Sequence, residues 1–232
     1  MLRLILRWSW RTLLLALIAL AVVQFWFLVH VWYWVGHNPE STAFMRGRLD
    51  ILQEDDPRAR LRHQWVAYNR ISVHLKRAVV VAEDAKFMTH GGFDWDGIQK
   101  AYEKNLREGE IVAGGSTITQ QLAKNLFFSG ERAWWRKAQE AVVAVMLETV
   151  MSKRRILEIY LNVIEWGDGV FGAEAAARYH YGTSAANLGA EQAARLAAIV
   201  PSPRRYGPGS DTAYLQRRTQ TILARMNGTR VP

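Results

Sequence analysis

The sequence predicts a mainly α-helical domain preceded by one membrane-spanning helix. Three observations predict this fold class: a run of 24 residues without a charged side chain, a series of apolar stripes at helical spacing, and a scarcity of strand signals. The chain has 232 residues, which is enough for one compact domain and a small appendage. It contains no cysteine, which excludes a disulfide scaffold.

The uncharged run, residues 12–35, is the membrane-spanning candidate. As a helix it would be about 36 Å long, against a hydrocarbon core of about 30 Å. Arg3, Arg7 and Arg11 precede it, and the positive-inside rule places such residues in the cytoplasm. A cleaved signal peptide is disfavoured because the apolar run is long and lacks a small-x-small cleavage site.

These features predict a single-pass protein of the cytoplasmic (inner) membrane. Its N-terminus would be cytoplasmic and its domain periplasmic or otherwise extracytoplasmic. The short polar connector would keep that domain against the bilayer. The predicted divisions are a cytoplasmic N-terminus at 1–11, a transmembrane helix at 12–35, a connector at 36–43 and the domain at 44–232.

The remainder of the chain is itself basic, with 27 lysines and arginines against 21 acidic residues, a net charge of +6. A basic domain suits nucleic acid, anionic lipid or phosphorylated substrates, and charge alone does not choose among them. The membrane span favours lipid and lipid-linked substrates, so we expect no nucleic-acid partner.

The first part of the domain is predicted as a lead-in followed by a helix. Residues 44–69 mix charged and apolar groups without a clear period, so they predict an irregular or short-helical segment. Residues 71–88 carry an apolar stripe and predict a helix that ends at a histidine and two glycines. Apolar side chains in 44–66 are candidates for contact with lipid: Phe44, Met45, Leu49, Ile51 and Trp65.

Capping residues predict the starts of two further helices. Asp94 has the position of an N-cap for a helix that runs to Glu108 and is closed by Gly109. Thr117 and Gln120 have capping-box spacing at the start of the next helix.

The rest of the domain also follows a helical pattern. Residues 134–151 are apolar nearly all round beyond Glu140, which predicts a centrally buried helix. Ser152 can cap a helix that ends at Asn162. Later helices are expected near residues 172–180, 190–199 and 212–226.

Glu83 and Asp84 are candidates for acid/base chemistry. In a helix each of them has apolar neighbours, which raise the pKa of a carboxylate as a general base requires. Spacing leaves open which of the two is functional. It also leaves open a structural alternative, in which an acid at the helix end pairs with Lys86 or another basic side chain.

A glycine pair, Gly114 and Gly115, opens the helix that starts at Thr117. Free backbone N–H groups and the positive end of the helix dipole favour phosphate oxygens there. The run does not match the P-loop pattern, and a hairpin-like loop beside a solvated basic face is the alternative. Four cationic residues follow within 24 positions: Lys124, Arg132, Arg136 and Lys137.

Glu140 is a second candidate carboxylate. It lies four residues after Arg136 on a helix that becomes apolar, so it needs a partner, and an ion pair with Arg136 is compatible with a functional role. No compact metal-ligand spacing joins Glu83, Asp84 and His90, and we expect no all-protein metal site.

Taken in order, five runs resemble the motifs of the peptidoglycan glycosyltransferase family, specifically its monofunctional membrane-anchored members. The likeness covers about residues 68 to 205. Five ordered motifs are far more specific than any one of them. The runs are residues 83–91, 114–125, 136–140, 156–162 and 172–182.

The resemblance implies a lysozyme-like, mainly α fold with Glu83 as the base and Glu140 as a second carboxylate that orients cations. Lys124, Arg132, Arg136 and Lys137 then become cations of the pyrophosphate and donor site. The second motif would supply further substrate-binding residues: Ser116, Thr117, Gln120, Gln121 and Asn125.

The same resemblance implies inverting polymerisation of lipid II into β-1,4-linked glycan strands with release of undecaprenyl pyrophosphate. No resident cofactor is expected, although a divalent cation, Mg²⁺ or Mn²⁺, could bridge the substrate pyrophosphate. Expected partners are lipid II, the growing glycan chain, the membrane, and penicillin-binding and cell-division proteins. The alternative is a lytic muramidase-like hydrolase. No Ser-x-x-Lys or Lys-Thr-Gly motif is present, so we expect no transpeptidase activity.

Overall fold

A computed structural model describes residues 2–110, 114–129 and 134–232. They divide into two compact units, one ending at Asn38 and one covering Pro39–Pro232. The first unit consists of helix α1 (Leu2–Gly36). Its stretch Ser9–Gly36 is long and apolar enough to cross a membrane. The span predicted at residues 12–35 lies inside this helix.

The second unit is mainly helical in its described residues, as predicted. In this part of the chain, three short strands form one sheet in the order β1-β3-β2, with β1 parallel and β2 antiparallel to β3. The strands are β1 (Arg62–His63), β2 (Glu165–Gly167) and β3 (Val170–Phe171). The helices are α2 (Ala43–Asp55), α3 (Val73–Glu83), α4 (Trp95–Glu108), α5 (Ile118–Phe127), α6 (Trp134–Val150), α7 (Lys153–Val163), α8 (Ala173–Tyr181), α9 (Ala190–Ile199) and α10 (Ala213–Met226).

Several predicted helix ends are confirmed by their caps. The Asp94 carboxylate accepts the Gly97 N–H at 3.1 Å at the start of α4, and Gly109 closes that helix with a φ of 71°. Ser152 accepts the Arg155 N–H at 3.2 Å at the start of α7. These side chains satisfy donors that the first turn of a helix leaves unpaired.

Helix α3 ends earlier than the predicted range of 71–88. It stops at Glu83, and Asp84 leaves the helical conformation with a φ of −162°. The apolar stripe continues to Phe87, which is buried, but the segment from Asp84 onward turns away from the helix axis. The reason is tertiary, because the Asp84 carboxylate binds groups outside α3.

The prediction of a centrally buried helix at 134–151 is wrong for one face of α6. Val143, Ala144 and Leu147 are buried, whereas Val142 and Val145 are 41 % and 51 % exposed. Helix α6 packs against α5 and α7, which covers only one side of it. An outer row of apolar side chains therefore remains accessible.

The core places the end of α3 between two other helices. Helix α5 packs against α6 and α7, while α3, α9 and α10 pack together. Buried side chains of α5 include Ile118, Leu122 and Leu126, which form its core-facing side. Glu83 consequently faces side chains of both α5 and α10.

Candidate active site

Glu83 is held by two polar partners at the end of α3. Its side chain is 10 % exposed. Gln121 Nε2 donates to Glu83 Oε2 at 3.0 Å, and Arg218 Nη2 lies 3.5 Å from Oε1. Burial raises the pKa of Glu83, and the Gln121 hydrogen bond and the Arg218 charge partly oppose that rise. A carboxylate with a raised pKa is suited to accept a proton from a substrate.

Asp84 has a different environment, because its partners are His90 and the first backbone N–H of α5. His90 Nε2–H donates to Oδ1 at 2.8 Å, and the Ile118 N–H donates to Oδ2 at 3.0 Å. Ile118 is the first residue of α5, so the carboxylate lies at the positive end of that helix dipole. Asp84 therefore joins α3 to α5, and of the two acids it is Glu83 that lines the larger cavity described below.

The start of α5 is fixed by the predicted capping box. Thr117 Oγ1 accepts the Gln120 N–H at 3.2 Å, and Gln120 Oε1 accepts the Thr117 N–H at 3.1 Å. Thr117 Oγ1 also donates to the Gly92 carbonyl at 2.7 Å. A Cβ at Gly115 would lie 2.9 Å from the Ile98 Cα, so the loop requires glycine there to pass α4.

Glu140 forms the ion pairs expected from its position on α6. Arg136 Nε lies 3.3 Å from Oε1, and Lys137 Nζ lies 3.1 Å from Oε2. Arg136 and Glu140 are buried, while more than half of the Lys137 side chain is exposed. Lys137 Nζ also lies 3.4 Å from Ser116 Oγ. This network connects α6 to the loop before α5.

A cavity of about 480 Å³ collects these groups. Glu83 and Glu140 both line it. Three cationic side chains, Lys124, Lys137 and Arg204, line the same space. Its remaining lining residues are Phe44, Gly114, Ser116, Gln120, Gln121, Asn125, Ile164, Glu165, Val200, Pro201 and Pro203. The cavity thus combines a proton acceptor with a cationic wall.

A known protein family has a sequence pattern that covers nearly all of the residues lining this cavity. The family model described as Transglycosylase matches residues 51–227, which include every residue that lines the cavity except Phe44. The chain belongs to the Transglycosylase family.

Three relatives of this transglycosylase carry the printed name "Biosynthetic peptidoglycan transglycosylase". The protein of Methylobacillus flagellatus is 63 % identical over 96 % of this chain and 97 % of its own length. The Nitrosospira multiformis protein is 58 % identical, with 97 % and 98 % covered, and the Janthinobacterium sp. (strain Marseille) protein is 59 % identical, with 91 % of each covered.

In the transglycosylase, eight of the eleven predicted site residues line the cavity: Glu83, Ser116, Gln120, Gln121, Lys124, Asn125, Lys137 and Glu140. Arg136 is buried behind Glu140, and Thr117 lines a neighbouring cavity of about 170 Å³ together with Glu83 and Ser116. Arg132 lies outside the described residues. The roles assigned to these side chains stay predictions.

Sequence reasoning missed three polar residues of this site. Arg218 of α10 contacts Glu83, and Arg204 lines the cavity. Glu165 of β2 also lines it, with Arg48 Nε at 3.5 Å and Arg204 Nε at 3.7 Å. Burial raises the pKa of Glu165, and the Gly169 N–H that it accepts opposes the rise. Arg218, Arg204 and Glu165 each lie in a segment without a local chemical motif, so only the tertiary fold shows that they belong to the site.

Proposed function

We propose that this transglycosylase polymerises lipid II into β-1,4-linked peptidoglycan glycan strands. The observation that carries the proposal is the shared cavity, in which a buried carboxylate with a raised pKa faces a wall of lysine and arginine side chains. A glycosyl transfer from a pyrophosphate needs both a proton acceptor and cations. The relatives' name supplies the substrate class.

The proposed step is one inverting displacement. Glu83 accepts the proton of the acceptor 4-hydroxyl, and the hydroxyl oxygen forms a bond to the anomeric carbon of the growing chain's terminal muramic sugar. The bond from that carbon to the pyrophosphate oxygen breaks, and its electron pair leaves with undecaprenyl pyrophosphate. Attack opposite an α-linked leaving group gives a β-1,4 bond, so no covalent enzyme intermediate is required.

Cations replace a strong general acid in this scheme. Lys124, Lys137 and Arg204 line the cavity and can neutralise the charge that develops on the departing pyrophosphate. The Glu140 carboxylate forms ion pairs with Lys137 and with the buried Arg136. Lys137 Nζ also lies near Ser116 Oγ. We assign Glu140 the role of orienting these cations rather than accepting the proton.

The relatives give no support to the hydrolase alternative, because the name they carry is that of a biosynthetic enzyme. A muramidase acts on a glycosidic bond that carries no phosphate, so it has no use for the cationic wall. We also propose that no resident cofactor is required. A divalent cation, if one takes part, would be bound mainly by pyrophosphate oxygens and water.

We propose that the protein is anchored in the cytoplasmic membrane by α1, with its N-terminus inside and its domain outside. The stretch Ser9–Gly36 supports the anchoring, and the arginines before it support the orientation. The growing glycan chain, penicillin-binding proteins and cell-division proteins remain proposed partners.

The surface that meets lipid is proposed at α4 and α6 rather than at residues 44–66. Of the earlier candidates, Met45 is buried, Phe44, Leu49 and Trp65 are half-buried, and only Ile51 is exposed. Helices α4 and α6 flank a cavity of about 290 Å³ that shares Ser116, Gln120 and Lys137 with the active-site cavity. Large apolar side chains are exposed on both helices: Trp95, Tyr102, Leu106, Trp134, Trp135, Val142 and Val145.

Purified full-length protein incubated with lipid II tests the function. We expect glycan polymer and undecaprenyl pyrophosphate to form together. Finished, uncross-linked glycan strands serve as the second substrate, and they should remain intact. Cleavage of those strands without polymer formation from lipid II would support the hydrolase and overturn the proposal.

A further inference from the structure

The fourth sequence motif, residues 156–162, contains a side chain that reaches toward the active site. Tyr160 of α7 is fully buried, and its hydroxyl donates to Gln121 Oε1 at 2.8 Å. Gln121 Nε2 in turn donates to Glu83 Oε2 at 3.0 Å. A chain of hydrogen bonds therefore runs from a buried tyrosine to the proposed base.

The direction of these hydrogen bonds matters because the side-chain amide of Gln121 has one accepting end and one donating end. The Tyr160 hydroxyl binds the oxygen end of Gln121, which turns the NH₂ end toward Glu83. Burial raises the pKa of Tyr160 well above its ordinary value, so the hydroxyl keeps its proton and remains a donor. Without that hydroxyl the amide could rotate and present its oxygen to the Glu83 carboxylate, which would repel it.

The other oxygen of Glu83 is held from α10. Arg218 Nη2 lies 3.5 Å from Glu83 Oε1 and 3.5 Å from the Ala82 carbonyl oxygen. Helix α10 packs against α3, so the arginine is carried to this point by the helix pair. Its positive charge favours the ionised form of Glu83 that can accept a proton.

We propose that Tyr160 and Arg218 are positioning residues for Glu83, Tyr160 through Gln121 and Arg218 directly. This inference rests on the proposed function. Tyr160 and Arg218 together fix both carboxylate oxygens and leave Glu83 facing the cavity. Among the described residues, the charged and titratable groups around Glu83 include Asp84 beside it, Tyr160, Arg218, and the cavity-lining Lys124, Lys137, Glu140, Glu165 and Arg204.

Two variants of the full-length protein test the proposal. Tyr160→Phe keeps the buried ring and removes the hydroxyl, and we expect kcat on lipid II to fall about tenfold while KM changes less than about twofold. Arg218→Gln should lower kcat in the same way. In both variants the acid limb of the kcat–pH profile should move to higher pH, because less opposes the rise in the pKa of Glu83 caused by burial.

Matched controls separate positioning from a general loss of structure. Tyr68→Phe removes another buried tyrosine hydroxyl, which donates to the Pro232 carbonyl away from the cavity. Arg217→Gln removes the same charge from the exposed neighbouring residue of α10. Both controls should keep the wild-type kcat and pH profile, and Arg218→Lys should restore much of the pH profile lost in Arg218→Gln.

Carbon-13 titration of the Glu83 side chain gives the same comparison without turnover. Its midpoint should be higher in Tyr160→Phe and Arg218→Gln than in their controls. Equal midpoints and equal pH profiles in all four variants overturn the positioning proposal even if the wild type polymerises lipid II. A wild type that fails to polymerise would instead defeat the proposed function, while raised midpoints would still support the positioning of Glu83.

Discussion

At the residue scale, the adjacent acids Glu83 and Asp84 receive separate tasks from the end of one helix. Because α3 stops at Glu83, the two side chains leave the backbone in different directions. Asp84 accepts hydrogen bonds from His90 and from the first N–H of α5. Glu83 lines the active-site cavity and accepts from Gln121. One acid is structural, and the other is available to a substrate.

The structural task of Asp84 predicts a stability effect. Asp84→Ala leaves the Ile118 N–H and His90 without their acceptor, so we expect the free energy of unfolding to fall by about 1–3 kcal/mol. The matched control is Asp96→Ala, because Asp96 is largely exposed and forms an ion pair with Lys86. Solvent screens an exposed pair of this kind, so its loss should change stability much less than the loss of Asp84 does. Thermal unfolding of the two full-length variants in the same detergent measures the difference, and equal midpoints would contradict it.

The sequence could predict this pair of acids but not their division of tasks. Apolar neighbours in the helical register are the same for a base and for a buried structural acid. The distinction depends on His90 and Ile118, which lie 6 and 34 residues from Asp84 along the chain. Arg218 is further still, 135 residues from Glu83, and no local pattern marks it.

At the element scale, helices with side-chain caps were predictable and helix exposure was not. The ends of α4, α5 and α7 follow from Asp94, Thr117 and Ser152, whose capping bonds are local. The outer face of α6 follows from which helices cover it, and α5 and α7 cover only one side. An apolar pattern nearly all round a helix predicts burial in a soluble core, but it is equally suited to a helix beside lipid.

The outer face of α6 predicts contact with the bilayer. The chain contains no cysteine, so Val145→Cys and Ile51→Cys each provide a unique site for a spin label. The two positions are 51 % and 50 % exposed, which makes them a matched pair. In full-length protein reconstituted in vesicles, the label at 145 should be relaxed more by oxygen than by a water-soluble nickel complex. The label at 51 should show the reverse, and the same ratio at both positions would argue against α6 as the lipid surface.

At the scale of the whole molecule, the fold gives each of the three described carboxylates that line the active-site cavity an arginine partner. Glu83 pairs with Arg218 of α10, and Glu140 pairs with Arg136 of its own helix. Glu165 lies between Arg48 of α2 and Arg204, which follows α9. Burial alone would favour the neutral forms of Glu83 and Glu165, and the arginine charges partly oppose that effect. The fold thereby keeps acidic groups inside a cavity suited to an anionic substrate.

The most direct test of the proposed mechanism compares polymerisation of lipid II by the wild-type protein and by Glu83→Gln. Substrate binding is measured on the same samples. Glutamine preserves the size of the side chain but cannot accept the acceptor's proton, so polymerisation should fall by at least about 100-fold while binding stays within a few-fold. Polymerisation by Glu83→Gln at a rate near that of the wild type would contradict the assignment of Glu83 as the base.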